Sequence, residues 1–173
     1  MKYEIRDCRF GKGVFATTTI EVAETISFLT GEIVRTKEML GKLNQHTVRR
    51  DDPLQIDEDL YVILDERSLY FNHSCEPTAV VSGYNTLVAF RAIESGEEIT
   101  FDYSTVVGYS ALTNNWTMEC QCGAVQCRHI IRSVISIPSI QLVGYLQGGG
   151  VPDFILRQLI RGGTAQYSPK HES

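Results

Sequence analysis

The chain has 173 residues, 43% hydrophobic and 21% charged, which supplies enough apolar mass for one compact domain and argues against wholesale disorder. Its 16 basic and 21 acidic residues leave a net charge of −5, a poor match to nucleic acid, where phosphate neutralisation needs clustered Lys and Arg, and a better one to a basic peptide. The opening Met1-Lys2-Tyr3-Glu4-Ile5-Arg6-Asp7 lacks the apolar stretch of a secretory signal, and no apolar run approaches the ~20 residues that span a bilayer, so an intracellular protein without a membrane association is expected.

In chain order, Tyr3 to Ile5 and Gly13 to Ala16 read as short strands around a Gly-Lys-Gly turn. Thr25 to Leu29 alternates and is β-rich until Gly31 breaks it. Thr36 is expected to cap a helix over Lys37 to His46 with Leu40 and Leu43 facing inward. Arg49-Arg50-Asp51-Asp52-Pro53 reads as a charged loop. Leu60 to Leu64, Ala79 to Val81, Thr86 to Ile93 and Glu98 to Phe101 follow as further short strands separated by turn residues. After Cys127 the pattern turns helical. Pro138 opens one helix to about Leu146, Gly148-Gly149-Gly150 ends it, and Pro152 and Asp153 open a second that Gly162 stops. These helices are expected to cover the core rather than form a dimer interface, so a monomer is favoured. Tyr167 to Ser173 is expected to fray. The fold class is mainly β, as β+α.

Three segments carry the chemistry: Asn72-His73-Ser74-Cys75-Glu76, then Gly96-Glu97-Glu98-Ile99-Thr100-Phe101-Asp102-Tyr103, then Cys120-Gln121-Cys122-Gly123-Ala124-Val125-Gln126-Cys127-Arg128. Cys120, Cys122 and Cys127 offer three soft ligands from one loop, and a Cys-x-Cys pair closes a disulfide on itself only with strain. A structural zinc ion takes four such ligands in a tetrahedron. Cys75 is the candidate for the fourth, while Cys8, before Arg9-Phe10-Gly11, reads as a buried apolar cysteine.

Taken in this order, and with Gly11-Lys12-Gly13-Val14-Phe15-Ala16 and Gly31-Glu32-Ile33 ahead of them, these segments resemble the SET-domain protein-lysine methyltransferases with a zinc-binding post-SET tail, over about Tyr3 to Arg128. The resemblance implies small sheets folded around a knot-like crossing, a SET domain over 1–107, a post-SET zinc segment over 108–130 and a helical extension over 131–173, in a small standalone form. It implies S-adenosylmethionine as methyl donor, structural zinc on Cys75, Cys120, Cys122 and Cys127, and a lysine-bearing protein or peptide as substrate. Gly11, Lys12, Gly13 and Phe15 belong to the segment whose backbone approaches the donor's methionine part, with glycine there because a Cβ would block the approach. Asn72 is implied to contact the methionine end, His73 the adenine, and Trp116 the adenine or the substrate channel. Tyr103 is the implied catalytic residue, its hydroxyl beside the transferring methyl. Phe101 stands where the family has phenylalanine or tyrosine, and phenylalanine implies room for more than one methyl.

The chain departs from the family's pattern at Leu29, where a tyrosine commonly lines the lysine channel, at Tyr70-Phe71 before Asn72, and at Thr78 after Pro77. Two further readings stay open: a SET-fold interaction module with weak catalysis, and a methyltransferase for a small amine.

Overall fold

The short β-rich runs pair into five small sheets among the residues that the computed structural model describes, 2–46, 53–110, 113 and 115–165. Strands β1 (Tyr3–Cys8) and β2 (Gly11–Ala16) form an antiparallel hairpin in full register from Tyr3↔Ala16 to Cys8↔Gly11. The turn falls on Arg9 and Phe10 rather than on the glycines, which lie inside β2. Gly11 has φ of 102°, open to glycine at little cost. A Cβ on Gly13 would come 2.5 Å from Glu98 Oε1 and 3.1 Å from Asn72 Nδ2, so the hairpin can approach the centre of the molecule only without one.

Strand β3 (Thr25–Phe28) is followed by β4 (Gly31–Arg35), which pairs with β6 (Leu60–Leu64), itself flanked by β5 (Pro53–Asp57). Neither β4 nor β5 is evident in the sequence pattern. Within β4 only Val34 is buried, and β5 opens on a proline, which cannot donate to a ladder. Between β4 and β5, helix α1 spans Thr36–Asn44, with Met39 buried and Leu40 and Leu43 packed beside it. Thr36 does not cap this helix. Arg35 holds the cap position, and the Thr36 N–H donates to Asp59 Oδ1 and Asp59 O, both at 3.3 Å. The charged segment Arg49-Arg50-Asp51-Asp52 and the end from Tyr167 to Ser173 lie outside the described residues.

The centre is a crossing of two short strands far apart in sequence. Strand β7 (Asn72–His73) precedes the hairpin of β8 (Ala79–Ser82) and β9 (Thr86–Ala89), which β3 extends into a three-stranded sheet. Strand β10 (Thr100–Phe101) then returns to pair with β7 in parallel, Thr100↔Asn72 and Phe101↔His73. Buried Thr78 clamps the return: its hydroxyl accepts from the Thr100 N–H at 2.9 Å and donates to Glu98 O at 3.2 Å. Replacing Thr78 by Val keeps the shape but strands a buried N–H, so Thr78→Val is expected to cost about 1–3 kcal/mol in urea unfolding with an unchanged m-value. Wild-type stability of that variant would remove the clamp. The main core, including Val14, Ile20, Leu29, Phe71, Leu87, Ile99 and Phe101, packs around this crossing.

Beyond Phe101 a 3-10 turn (Tyr103–Val106) leads to the cysteine-bearing loop, held at its base by strands β11 (Met118–Glu119) and β12 (Ile130–Ile131). Helices α2 (Ser139–Gln147) and α3 (Asp153–Ala165) then pack Tyr145, Phe154 and Ile155 against Val80 of β8 in a second apolar cluster. They cover the sheet, as expected. The second helix runs through Gly162 to Ala165, because an interior glycine costs only about 1 kcal/mol and does not forbid a helix. No helix among the described residues is long and apolar enough to cross a membrane.

Candidate active site and cysteine cluster

At the end of β10, Asp102 accepts from the Ser104 N–H at 3.0 Å and so starts the 3-10 turn that carries Tyr103 out of the strand. The turn sends the Tyr103 ring back across the crossing. Its hydroxyl donates to Phe71 O at 2.9 Å, its N–H donates to His73 Nδ1 at 3.1 Å, and its ring lies 4.8 Å from that of Phe101.

Two cavities meet at this tyrosine. On one side is a cleft of about 400 Å³ whose walls include Phe10, Asn72, His73, Met118 and the loop from Glu119 to Cys122. On the other side is a narrow apolar channel of about 70 Å³, lined by Leu54, Leu64, Phe71, Phe101, Val106 and Trp116 among others. Tyr103 and Leu69 belong to both walls. Asn72 projects its amide to Glu98 Oε1 at 2.7 Å and to Lys12 O at 3.0 Å, so the β2 hairpin reaches the cleft through Asn72. Gly11, Lys12, Gly13 and Phe15 do not line the cleft themselves; Phe15 instead carries the Arg6 guanidinium 3.8 Å from its ring centroid. Trp116 stands on the channel side. Leu29 is fully buried in the main core and lines neither cavity, its backbone tied to Asn85 by Nδ2–H···O at 2.9 Å and N–H···O at 2.9 Å.

His73 is buried against the crossing, and desolvation depresses it to about 4, against an opposing pull from Asp102, so the ring is neutral near pH 7. Because Nδ1 accepts from the Tyr103 N–H, the proton of the neutral ring is assigned to Nε2, which faces Cys75 Sγ at 3.3 Å.

Cys75 lies beneath the β11–β12 loop. Its sulfur is 3.8 Å from Cys120 Sγ, which is 3.7 Å from Cys127 Sγ, and the Cys75 N–H points at Cys122 Sγ at 3.4 Å. Ligand atoms of His73, Cys75, Cys120 and Cys122 all fall within 4.8 Å of one another. Zn–S bonds of ~2.3 Å in a tetrahedron put sulfurs about 3.8 Å apart, which the Cys75–Cys120 and Cys120–Cys127 separations match. Burial pushes the Cys75 and Cys120 thiols up. Burial also pushes Cys122 up, but N–H donors of Cys75 and Ala124 and the adjacent thiols outweigh it and bring this group down to about 7. A crowded set of thiols, one of them readily ionised, is a donor set suited to a divalent soft cation.

Three participants escape a reading of the sequence alone. Glu98 was hidden in the doubled glutamate Glu97-Glu98, of which one pairs with Arg91 at the surface and the other turns in to Asn72. Arg128, directly after the last cysteine, donates through Nη2 to Asp102 at 2.6 Å and through its N–H and Nε to Cys75 Sγ, both at 3.4 Å. Tyr145 comes from a helix 43 residues away from Asp102 and donates to it at 3.2 Å.

Comparison with known proteins agrees with this architecture. A model of the SET domain matches residues 11–104, more than half of the chain, and the chain belongs to the SET-domain family. It is similar to the Variant-silencing SET domain-containing protein of Plasmodium falciparum, 34% identical over 134 residues that cover 68% of this chain and 5% of that protein. It is also similar to Histone-lysine N-methyltransferase ASHH3 of Arabidopsis thaliana, 30% identical over 75% of this chain and 38% of that one, and to Histone-lysine N-methyltransferase mes-4 of Caenorhabditis elegans, 31% identical over 68% and 15%. The chain thus spans well under half the length of each of these relatives.

Proposed function

We propose that the chain is a protein-lysine methyltransferase that binds S-adenosylmethionine in the cleft of Asn72 and His73 and receives a lysine through the apolar channel of Phe101 and Trp116. The observation that carries this reading is the shared wall: of the two residues that line both cavities, Tyr103 and Leu69, Tyr103 is the one with a polar side-chain group. The cleft volume lies within the range of ~300–1,000 Å³ usual for small-molecule sites. When bound, S-adenosylmethionine supplies an electrophilic methyl whose bond to sulfur breaks as a lysine nitrogen bonds to the carbon.

The chain's own residues prepare the amine. A lysine with an ordinary pKa of about 10.4 is mostly protonated at neutral pH, and the walls of Leu54, Phe71, Phe101 and Val106 disfavour that charge. The methylenes fit between apolar side chains, and the Tyr103 oxygen can accept from the nitrogen and orient its lone pair. Asn72 fixes one end of the cleft, held in place by Glu98 and the Lys12 carbonyl. The names of two of these relatives, each a histone-lysine N-methyltransferase, support a protein substrate.

Cys75, Cys120, Cys122 and Cys127 would hold a zinc ion that ties the loop over the cleft. His73 is the weaker fourth ligand: with Nδ1 already accepting from a backbone N–H, its Nε2 is a donor rather than a lone pair. The direct test of function is transfer of a labelled methyl from S-adenosylmethionine into a protein mixture, preceded by calorimetric titration of the donor. Binding followed by label on protein supports the reading; binding without transfer would favour an interaction module.

Phe101, 3% exposed and with its ring tilted against that of Tyr103, sets the room around the nitrogen. Phe101→Tyr is expected to shift the product toward monomethyl-lysine by several-fold, read by mass spectrometry of the product peptide. An unchanged product mixture would count against a steric role for this ring.

A further inference from the structure

We infer that Tyr145, on a helix beyond the segment matched to the SET domain, is a positioning residue for Tyr103 and acts through the carboxylate of Asp102. The inference rests on the reading of Tyr103 as the catalytic tyrosine. Asp102 sits between Phe101 and Tyr103 in the chain and is 1% exposed. A carboxylate so buried must be neutralised and have both oxygens satisfied, or the strand that holds it shifts to find partners. One oxygen is taken by Arg128 at 2.6 Å and by the Ser104 N–H at 3.0 Å. The other is met by the Tyr145 hydroxyl at 3.2 Å. Burial and then the Asp102 charge hold that phenol well above its ordinary range, so it remains a donor.

The carboxylate in turn fixes the start of the 3-10 turn at Tyr103. Its bond to the Ser104 N–H sets where the chain leaves β10, and so where the Tyr103 ring points. Gln141, one turn earlier on α2, donates from the same nitrogen to the Tyr145 hydroxyl at 2.9 Å and to the Cys75 carbonyl. Thus α2 touches both Asp102, the neighbour of Tyr103, and the cysteine cluster. Packing alone does not require the hydroxyl: the Tyr145 ring, 5.5 Å from Phe90, would fill its place as phenylalanine.

The test is Tyr145→Phe, read in two ways. Hydrogen exchange at the Tyr103 and Ser104 amides is expected to speed up about tenfold, while amides of α3 keep their wild-type protection. In kinetics, kcat is expected to fall about tenfold with the KM for S-adenosylmethionine unchanged, and Tyr145→Phe added to Asp102→Asn is expected to cost no more than Asp102→Asn alone. Wild-type exchange at Tyr103 and Ser104 would overturn the inference, as would a loss of protection spread evenly over α2 and α3, which is the mark of packing. A chain that transfers no methyl to any lysine yet shows the local exchange change would sink the enzymatic reading and leave the positioning of Tyr103 standing.

Discussion

Tyr103→Phe is expected to lower kcat by about 10²–10³-fold while leaving donor binding, measured by calorimetry, within about twofold of wild type. The ring is held by Phe101 and by the apolar channel, so its position survives loss of the hydroxyl. What disappears is the hydroxyl of the tyrosine that lines both cavities, and with it the group that can orient an amine. The stability cost is small by comparison. The lost bond to Phe71 O is worth about 0.5–1.5 kcal/mol. A variant with wild-type kcat would remove Tyr103 from the chemistry and leave it as a strand-end ring.

Stripping metal is expected to have an effect of similar size by a different route. The loop from Trp116 to Arg128 has little core of its own: its buried Cys120 meets only Cys75 and Ile131 as further buried residues of that cluster, and β11 and β12 contribute only two residues each. Its order would then depend on the cation, since binding energy at such a site is folding energy, about 10–16 kcal/mol for zinc-finger peptides near pH 7. A chelator is expected to raise amide exchange across Trp116 to Arg128, to open the wall that Glu119 to Cys122 gives the cleft, and to reduce turnover more than a hundredfold, with recovery on adding zinc. Undiminished turnover in metal-free protein would reject the tethered loop. The fourth ligand is tested separately. Cys127→Ser is expected to lose stoichiometric zinc, and His73→Gln to retain it, by metal analysis. The opposite pair of results would move the ligand to His73.

The parts of the molecule visible in the sequence are those whose chemistry is compressed into short segments. Asn72, His73 and Cys75 fall within four residues at the crossing, Phe101 ends its other strand with Tyr103 two residues on, and three thiols stand in one loop, so these residues are recognisable without the path between them. Continuous apolar runs such as Leu60–Leu64, whose residues pack into the main core on one face and against the cluster of α1 on the other, are legible for the same local reason, whereas β4 is not, because its Ile33 faces solvent. Leu29 shows the opposite limit. Its place before Gly31-Glu32 suggested a channel wall, but β3 ends there with the side chain turned into the core. The network of Arg128, Asp102 and Tyr145 was hidden for a physical reason: a lone buried aspartate between two aromatics looks like any turn residue until the partners that neutralise it arrive from 26 and 43 residues away. Its burial, not its spacing, marks it out.

The proposed function requires two ligands to meet at Tyr103. A crystal structure of the chain with zinc, S-adenosylhomocysteine and a lysine peptide tests this most directly. The expected result is the adenosyl group beside Asn72 and His73, the lysine methylenes between Phe101 and Trp116, and the amine and the donor sulfur facing each other at the Tyr103 hydroxyl. A donor bound away from the Asn72–Cys122 cleft, or a lysine entering from the donor's own side, would contradict it.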